Sequence, residues 1–239
     1  MSDNTAIEWT GSTWSPVTGC TKVSPGCAHC YIERTPPMRT KHRRFVNGTT
    51  GVQLHPERLD AAKVRKLKPI DRPIFVCSMA DLFHDQVPDS FIYEVFQVMY
   101  RAPERTFQVL TKRPERLLAW YQDFRHDFIG GVIRFDECWP LPNVWLGVSI
   151  ENARYTWRAD VLREIPAAVR FISAEPLLGS LFPALCGTSK REWSCVLDAG
   201  HVGKCTTTSV RSGSRYALDL SGIDWVIVGG ESGPGARQM

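Results

Sequence analysis

Thr106-Phe107-Gln108-Val109-Leu110-Thr111, running into Lys112-Arg113-Pro114, sets the reading of this chain. The first six residues are mostly apolar or β-branched and too few for a helix, which makes them a strand. A polar turn follows. Proline then opens a helix-length stretch, 114–124, where its missing amide costs no hydrogen bond. The same unit recurs on both sides. Strands are expected at 74–78, 144–149, 169–173 and 225–229, with a weaker first strand at 51–54. Helices are expected at 56–67, 88–102 and 152–165 between them. Six nearly continuous apolar strands alternating with helices imply a parallel sheet covered by helices. Right-handed crossovers curl such a sheet into an open or closed barrel. The expected fold class is therefore α/β, a partial (β/α)6 barrel with parallel strands.

The remaining segments break the rhythm. Residues 1–19 read as irregular, with Trp9 and Trp14 among small and polar residues and Pro16 blocking a regular element. A short helix is expected from Cys27 to the Pro36-Pro37 pair. Residues 125–142 form a lengthened connection, and 177–222, rich in Gly, Ser and Thr, reads as an insertion before the last strand. After that strand, 229–239 supplies a loop but no returning helix, so a C-terminal helix is expected to be missing or replaced by a partner chain. The whole of 1–239 reads as a single domain. No apolar run reaches the roughly 18 residues of a membrane span, and the N-terminus lacks the features of a signal peptide. A cytoplasmic protein without a membrane partner is expected, where clustered cysteines hold metal more often than they form disulfides.

Gly19-Cys20-Thr21-Lys22-Val23-Ser24-Pro25-Gly26-Cys27-Ala28-His29-Cys30-Tyr31 carries the chemistry. Its C-x6-C-x2-C spacing gathers Cys20, Cys27 and Cys30, and three thiolates suit a soft or borderline metal. Iron–sulfur clusters are usually held by four thiolates. Three leave one position for something other than protein, as in a [4Fe–4S] cluster with one open iron. The competing reading is a zinc site completed by His29 or a distant residue. His29 lies inside the C-x2-C, a poor position for a fourth ligand in the same turn. A second set, Cys186, Cys195, His201 and Cys205, lies in the insertion. It reads either as a Cys3His zinc site or as part of a flexible loop. Cys77 reads as a buried strand residue, Cys138 as a loop residue, and His84 either as a residue facing the rim of strand ends or as a packed or surface histidine.

In parallel α/β folds the working residues collect at the C-terminal ends of the strands. Here those ends are polar: Ser78 to Asp81, Thr111 to Arg113, Ser149 to Asn152, Ser173 to Pro176, and Gly229-Gly230-Glu231-Ser232. Each alone is explained by helix capping; five at one rim read as a site. Ser78, Asp81, Ser149, Glu151 and Glu175 are the candidate cofactor contacts there. Lys112 and Arg113 are the candidate contacts to a substrate phosphate. Between Arg34 and Arg72, eleven Lys and Arg face three acids, although the whole chain carries only +4. This basic segment beside the cysteines suits a phosphate-bearing partner, or else a solvated helix face and loop.

Thr18 to Tyr31, Met79-Ala80-Asp81-Leu82-Phe83-His84, Leu110-Thr111-Lys112-Arg113-Pro114 and Val228-Gly229-Gly230-Glu231-Ser232-Gly233 together resemble the phage-associated three-cysteine-motif family, which is related to radical S-adenosylmethionine enzymes. The resemblance covers nearly the whole chain apart from the two insertions. It implies a radical-S-adenosylmethionine-type partial barrel with a [4Fe–4S] cluster on Cys20, Cys27 and Cys30. S-adenosylmethionine would bind the open iron, and an electron donor would supply the electron that releases a 5′-deoxyadenosyl radical. Tyr31 resembles the aromatic residue that packs near the adenine. Two departures stand out. The first cysteine gap is longer than the common three residues, and Ser78 and Asp81 occupy the region where such enzymes often carry Gly-Gly-Glu. Members of the family also continue beyond Met239.

The expected function is a radical enzyme acting on a small-molecule or nucleic-acid substrate that bears phosphate, such as a nucleotide or a nucleic-acid base. The alternative is a non-enzymatic nucleic-acid-binding protein stabilised by metal. A third reading is a damaged relative that lacks its last helix.

Overall fold

A computed structural model of the chain describes residues 2–3, 5–35, 42–125, 128–129, 133–182, 218–230 and 237. Its main sheet has seven strands: β1 (Ser2–Asp3), β2 (Ser12–Trp14), β3 (Ile74–Val76), β4 (Phe107–Thr111), β5 (Val144–Ser149), β6 (Val169–Ala174) and β7 (Trp225–Val228). Their spatial order is their chain order. β1 runs antiparallel to β2, and every later neighbour is parallel. Each crossover advances one strand in the same direction, so right-handed connections put the helices on one face.

Five of the six parallel strands fall where the sequence places them. The first does not. It is β2, inside the segment read as irregular, while Gln53–Leu54 pairs antiparallel with Val17–Thr18 outside the main sheet. Thr13 and Trp14 favour a strand, but the run between Gly11 and Pro16 is too short to announce one. Ser12 and Trp14 are nonetheless fully buried against β3, and tertiary context decides the conformation.

The helices are α1 (Ala61–Arg65), α2 (Asp89–Tyr100), α3 (Pro114–Phe124), α4 (Phe135–Cys138) and α5 (Trp157–Arg163). α2 buries Phe91, Ile92, Val95, Phe96, Val98 and Met99, the stripe expected of a helix lying on a sheet. α3 adds Leu117 and Trp120, and Trp120 stacks on Phe96 with ring centroids 4.7 Å apart. Several expected helices are shorter than read. The 56–67 stretch is a 3-10 turn, Pro56–Arg58, followed by α1, whose first turn is capped by Asp60 accepting from the Lys63 amide. The 152–165 stretch is a 3-10 turn, Ala153–Tyr155, followed by α5. Where a helix from Cys27 is expected stand two 3-10 turns, Pro25–Cys27 ending at the second cysteine and Tyr31–Arg34 following the third. The lengthened connection contains a two-stranded ladder, Phe128–Ile129 with Ile133–Arg134, and α4.

The sheet face opposite the helices curls around Trp9. The Trp9 ring lies 4.8 Å from Phe75 on β3, 6.3 Å from Phe171 on β6 and 6.4 Å from Trp225 on β7, centroid to centroid. Phe75 and Trp225 are thus within about 11 Å of each other, although four interstrand steps of about 4.8 Å separate their strands. Only a strongly curved sheet brings them so close. The curl stops short of a closed barrel: among the described residues β1 and β7 remain its two edges. The insertion's Cys186, Cys195, His201 and Cys205 lie outside the described residues, as do Glu231 and Ser232. No described helix is long and apolar enough to cross a membrane.

Candidate metal centre

The cysteine loop leaves the C-terminal end of β2, one strand later in the sheet than the sequence reading placed it. Trp14 still accepts from the Cys77 amide, and Val17–Thr18 then pairs with Gln53–Leu54. Gly19 bridges to Ala80 beyond β3, its amide donating to the Met79 carbonyl at 2.9 Å. Its backbone has φ +88°, and a Cβ there would collide with the carbonyl oxygen of Gly51, so only glycine fits. Cys20 is held between two anchors. Its amide donates to Thr50 Oγ1 at 2.9 Å, and its carbonyl accepts from the Thr50 amide at 3.0 Å.

From Cys20 the loop crosses the strand ends. The Thr21 carbonyl accepts from Arg113 Nη2, beyond β4, at 3.1 Å. Ser24 donates its hydroxyl to Glu151 Oε1, beyond β5. Gly26 lies flat against the same side chain, where a Cβ would stand 2.5 Å from Glu151 Cγ. Cys27 closes the Pro25–Cys27 turn, and the Cys30 amide donates back to the Cys27 carbonyl at 3.4 Å. Tyr31 then returns its hydroxyl to the Ser78 carbonyl, beyond β3. The six-residue gap between Cys20 and Cys27 is the length that carries the loop from the ends of β3 and β4 to that of β5.

Cys20, Cys27 and Cys30 are free, half-buried thiols. Burial pushes the Cys20 thiol up to about 11; the Asp81 carboxylate adds to this and Arg113 opposes it. Burial also pushes Cys30 up, against the charges of Lys112 and Lys22. A thiolate at Cys27 disfavours ionisation at both neighbours, so the three sulfurs share one electrostatic site. Among the described residues, no three His, Cys, Asp or Glu side chains stand close enough together to hold a metal ion as they are placed.

The structure sorts the rim residues. Asp81 is surrounded by donors: Thr111 Oγ1 at 2.8 Å, the Phe83 and Lys112 amides at 3.0 Å each, and Arg113 Nη1 at 3.1 Å. Glu151 is fully buried, one oxygen on Ser24 and the other on Arg158 Nη1 at 3.0 Å. Glu175 accepts on Oε2 from Trp9 Nε1 and Ser173 Oγ, both at 3.1 Å. Burial pushes the Tyr31 phenol up, and the charges of Cys30, Cys20 and Glu175 add to it. Ser78 Oγ meets Ser15 Oγ at 3.4 Å, and Ser149 is the register neighbour of Ser173. Lys112 acts electrostatically on Cys30. Arg113 is only 8% exposed, turned inward onto Asp81, Thr21 and Cys20.

Sequence reasoning missed several supports. Ser24, Thr50, Trp9 and Arg158 are recognised only when distant strands meet. His84 is the packed histidine expected, and its role is specific. Its Nδ1 accepts from the Gln86 amide at 3.0 Å, so the ring is the neutral Nε2–H tautomer donating to Thr21 Oγ1 at 2.8 Å. Thr21 in turn donates to Thr49 Oγ1 at 3.0 Å.

A family model described as "Protein of unknown function (DUF5131)" matches residues 4–239. No curated protein and no solved structure matches the chain.

Proposed function

The chain belongs to the DUF5131 family of proteins of unknown function, and we propose that it is a radical S-adenosylmethionine enzyme of the partial-barrel type, related to the phage-associated three-cysteine family. The observation that carries this reading is the path of the cysteine loop. It leaves the end of β2 and is tied in turn to residues beyond β3, β4 and β5, so the three thiols stand over the rim where parallel α/β folds do their chemistry.

The donor set suits a [4Fe–4S] cluster: three free thiols on one loop, with no fourth cysteine in that stretch of sequence. Cys20, Cys27 and Cys30 would hold it, and when bound it supplies the single electron that cleaves the sulfonium of S-adenosylmethionine to give a 5′-deoxyadenosyl radical. The other residues bind and orient. Tyr31 and Glu175 serve as cofactor contacts, with Ser78, Ser149 and Ser173 at the neighbouring strand ends. Asp81 and Glu151 hold the loop in place through protein donors. Lys112, half-buried beside Cys30, is the cation offered to a substrate phosphate on a nucleotide or nucleic-acid base. The curled aromatic floor of Trp9, Phe75, Phe171 and Trp225 keeps water from the far side of the site.

Anaerobic reconstitution with iron and sulfide, followed by reductant and S-adenosylmethionine, should release 5′-deoxyadenosine and methionine. A reconstituted protein that binds nucleic acid in a salt-sensitive way yet releases neither product would favour a metal-stabilised binding protein instead.

A further inference from the structure

We propose that Arg113 is a positioning residue that fixes Cys20 as a cluster ligand and, balanced by Asp81, sets the reduction potential of the cluster; this presupposes the cluster reading above. At the end of β4 the Arg113 amide donates to Thr111 Oγ1 at 2.9 Å, and that hydroxyl donates to Asp81. The turn is thereby wrapped on the carboxylate, and the guanidinium has one direction left. Nη1 lies 3.1 Å from Asp81 Oδ2 and 4.0 Å from Cys20 Sγ, while Nη2 holds the Thr21 carbonyl next to Cys20.

A purely structural ion pair would be satisfied by Asp81 alone, and buried pairs contribute little net stability. A phosphate-binding arginine would face solvent. Arg113 does neither: it is buried, and besides Asp81 its Nη1 and Nη2 face Cys20 and the Thr21 carbonyl of the cysteine loop. A positive charge and an N–H donor beside a ligating sulfur favour the state that carries one more electron, raising the potential. The Asp81 carboxylate, paired with the same Nη1 that faces Cys20, acts in the opposite sense. Charges of opposite sign therefore act on Cys20 from one ion pair, and removing either should move the potential in its own direction.

The test uses the reconstituted protein, with iron and sulfide content measured first and the midpoint potential then followed by spectroscopically monitored redox titration. Arg113→Gln should shift the midpoint to more negative values. Arg113→Lys, which keeps the charge but not the fork, should fall between it and the parent. Asp81→Asn should shift it to less negative values. Should Arg113→Gln fail to fold, the other two variants decide, because their shifts are expected to have opposite signs. Full cluster content with unchanged potentials, or shifts of the same sign, overturns the assignment of Arg113 and leaves the cluster reading standing. A parent protein that takes up no iron overturns both.

Discussion

Arg158 and Glu151 form an ion pair at 3.0 Å, with side chains 2% and 0% exposed, and the second oxygen of Glu151 holds Ser24 of the cysteine loop. One buried pair thus joins α5 and the end of β5 to the candidate metal centre. Breaking such a pair from one side leaves an unmatched buried charge, which costs about 3–5 kcal/mol. Arg158→Leu should lower the unfolding free energy of the metal-free protein by that amount in urea titration. Adding Glu151→Leu should recover part of the loss. A single-variant cost under about 1 kcal/mol would mean the pair is not buried as described.

Gly19 is the second structural test. At φ +88° an alanine is strained, and its Cβ would also strike the Gly51 carbonyl. Gly19→Ala should therefore cost more than the roughly 1 kcal/mol of an unfavourable backbone conformation alone. Thermal or urea unfolding reads this directly.

His84 gives a pH dependence. Burial, helped by the Arg113 charge, lowers its folded-state value, while Asp85 and Asp81 pull the other way. The unfolded chain therefore takes up the proton first as pH falls. The stabilisation from the neutral ring is complete above the unfolded value of about 6.5 and is lost as pH drops through it towards the folded value. His84→Gln keeps a donor for Thr21 without titrating. Its unfolding free energy should fall less steeply than the parent's between about pH 7 and pH 5; parallel curves would contradict the neutral, hydrogen-bonded ring.

Cys77 should be inert. It is 2% exposed, and burial pushes its thiol up to about 12. Alkylation of the native, metal-free protein, mapped by peptide mass, should label Cys20, Cys27 and Cys30 well before Cys77. Cys77 should react only at the rate of unfolding.

Much of the scaffold is legible in the sequence because its central strands are nearly continuous apolar runs. Residues 106–111 and 144–149 need no context to read as strands, and Pro114 marks the start of α3 to the residue. β2 is hidden for the opposite reason. Its three residues are strand only because β3 and the core accept Trp14, and no local pattern announces that. The error propagates, since missing β2 puts the cysteines before the sheet when they follow its first parallel strand. The thiols themselves were plain from spacing. Their supports were not: Ser24 on Glu151, Thr50 on Cys20 and Trp9 on Glu175 join residues far apart in the chain. Parallel topology follows from the strand pattern, yet sequence cannot separate Asp81, occupied by four protein donors, from Glu175, whose Oε2 accepts from Trp9 and Ser173.

The most direct measurement concerns the three thiols together. After anaerobic reconstitution the protein should carry about four iron and four sulfide per chain. On reduction it should give a paramagnetic signal that changes shape when S-adenosylmethionine is added. Cys20→Ala, Cys27→Ala and Cys30→Ala should each abolish both the cluster and that change while leaving unfolding of the metal-free chain nearly unaltered. Retention of a single tightly held zinc, with no iron taken up and no response to S-adenosylmethionine, would contradict a cluster with an open iron at this rim.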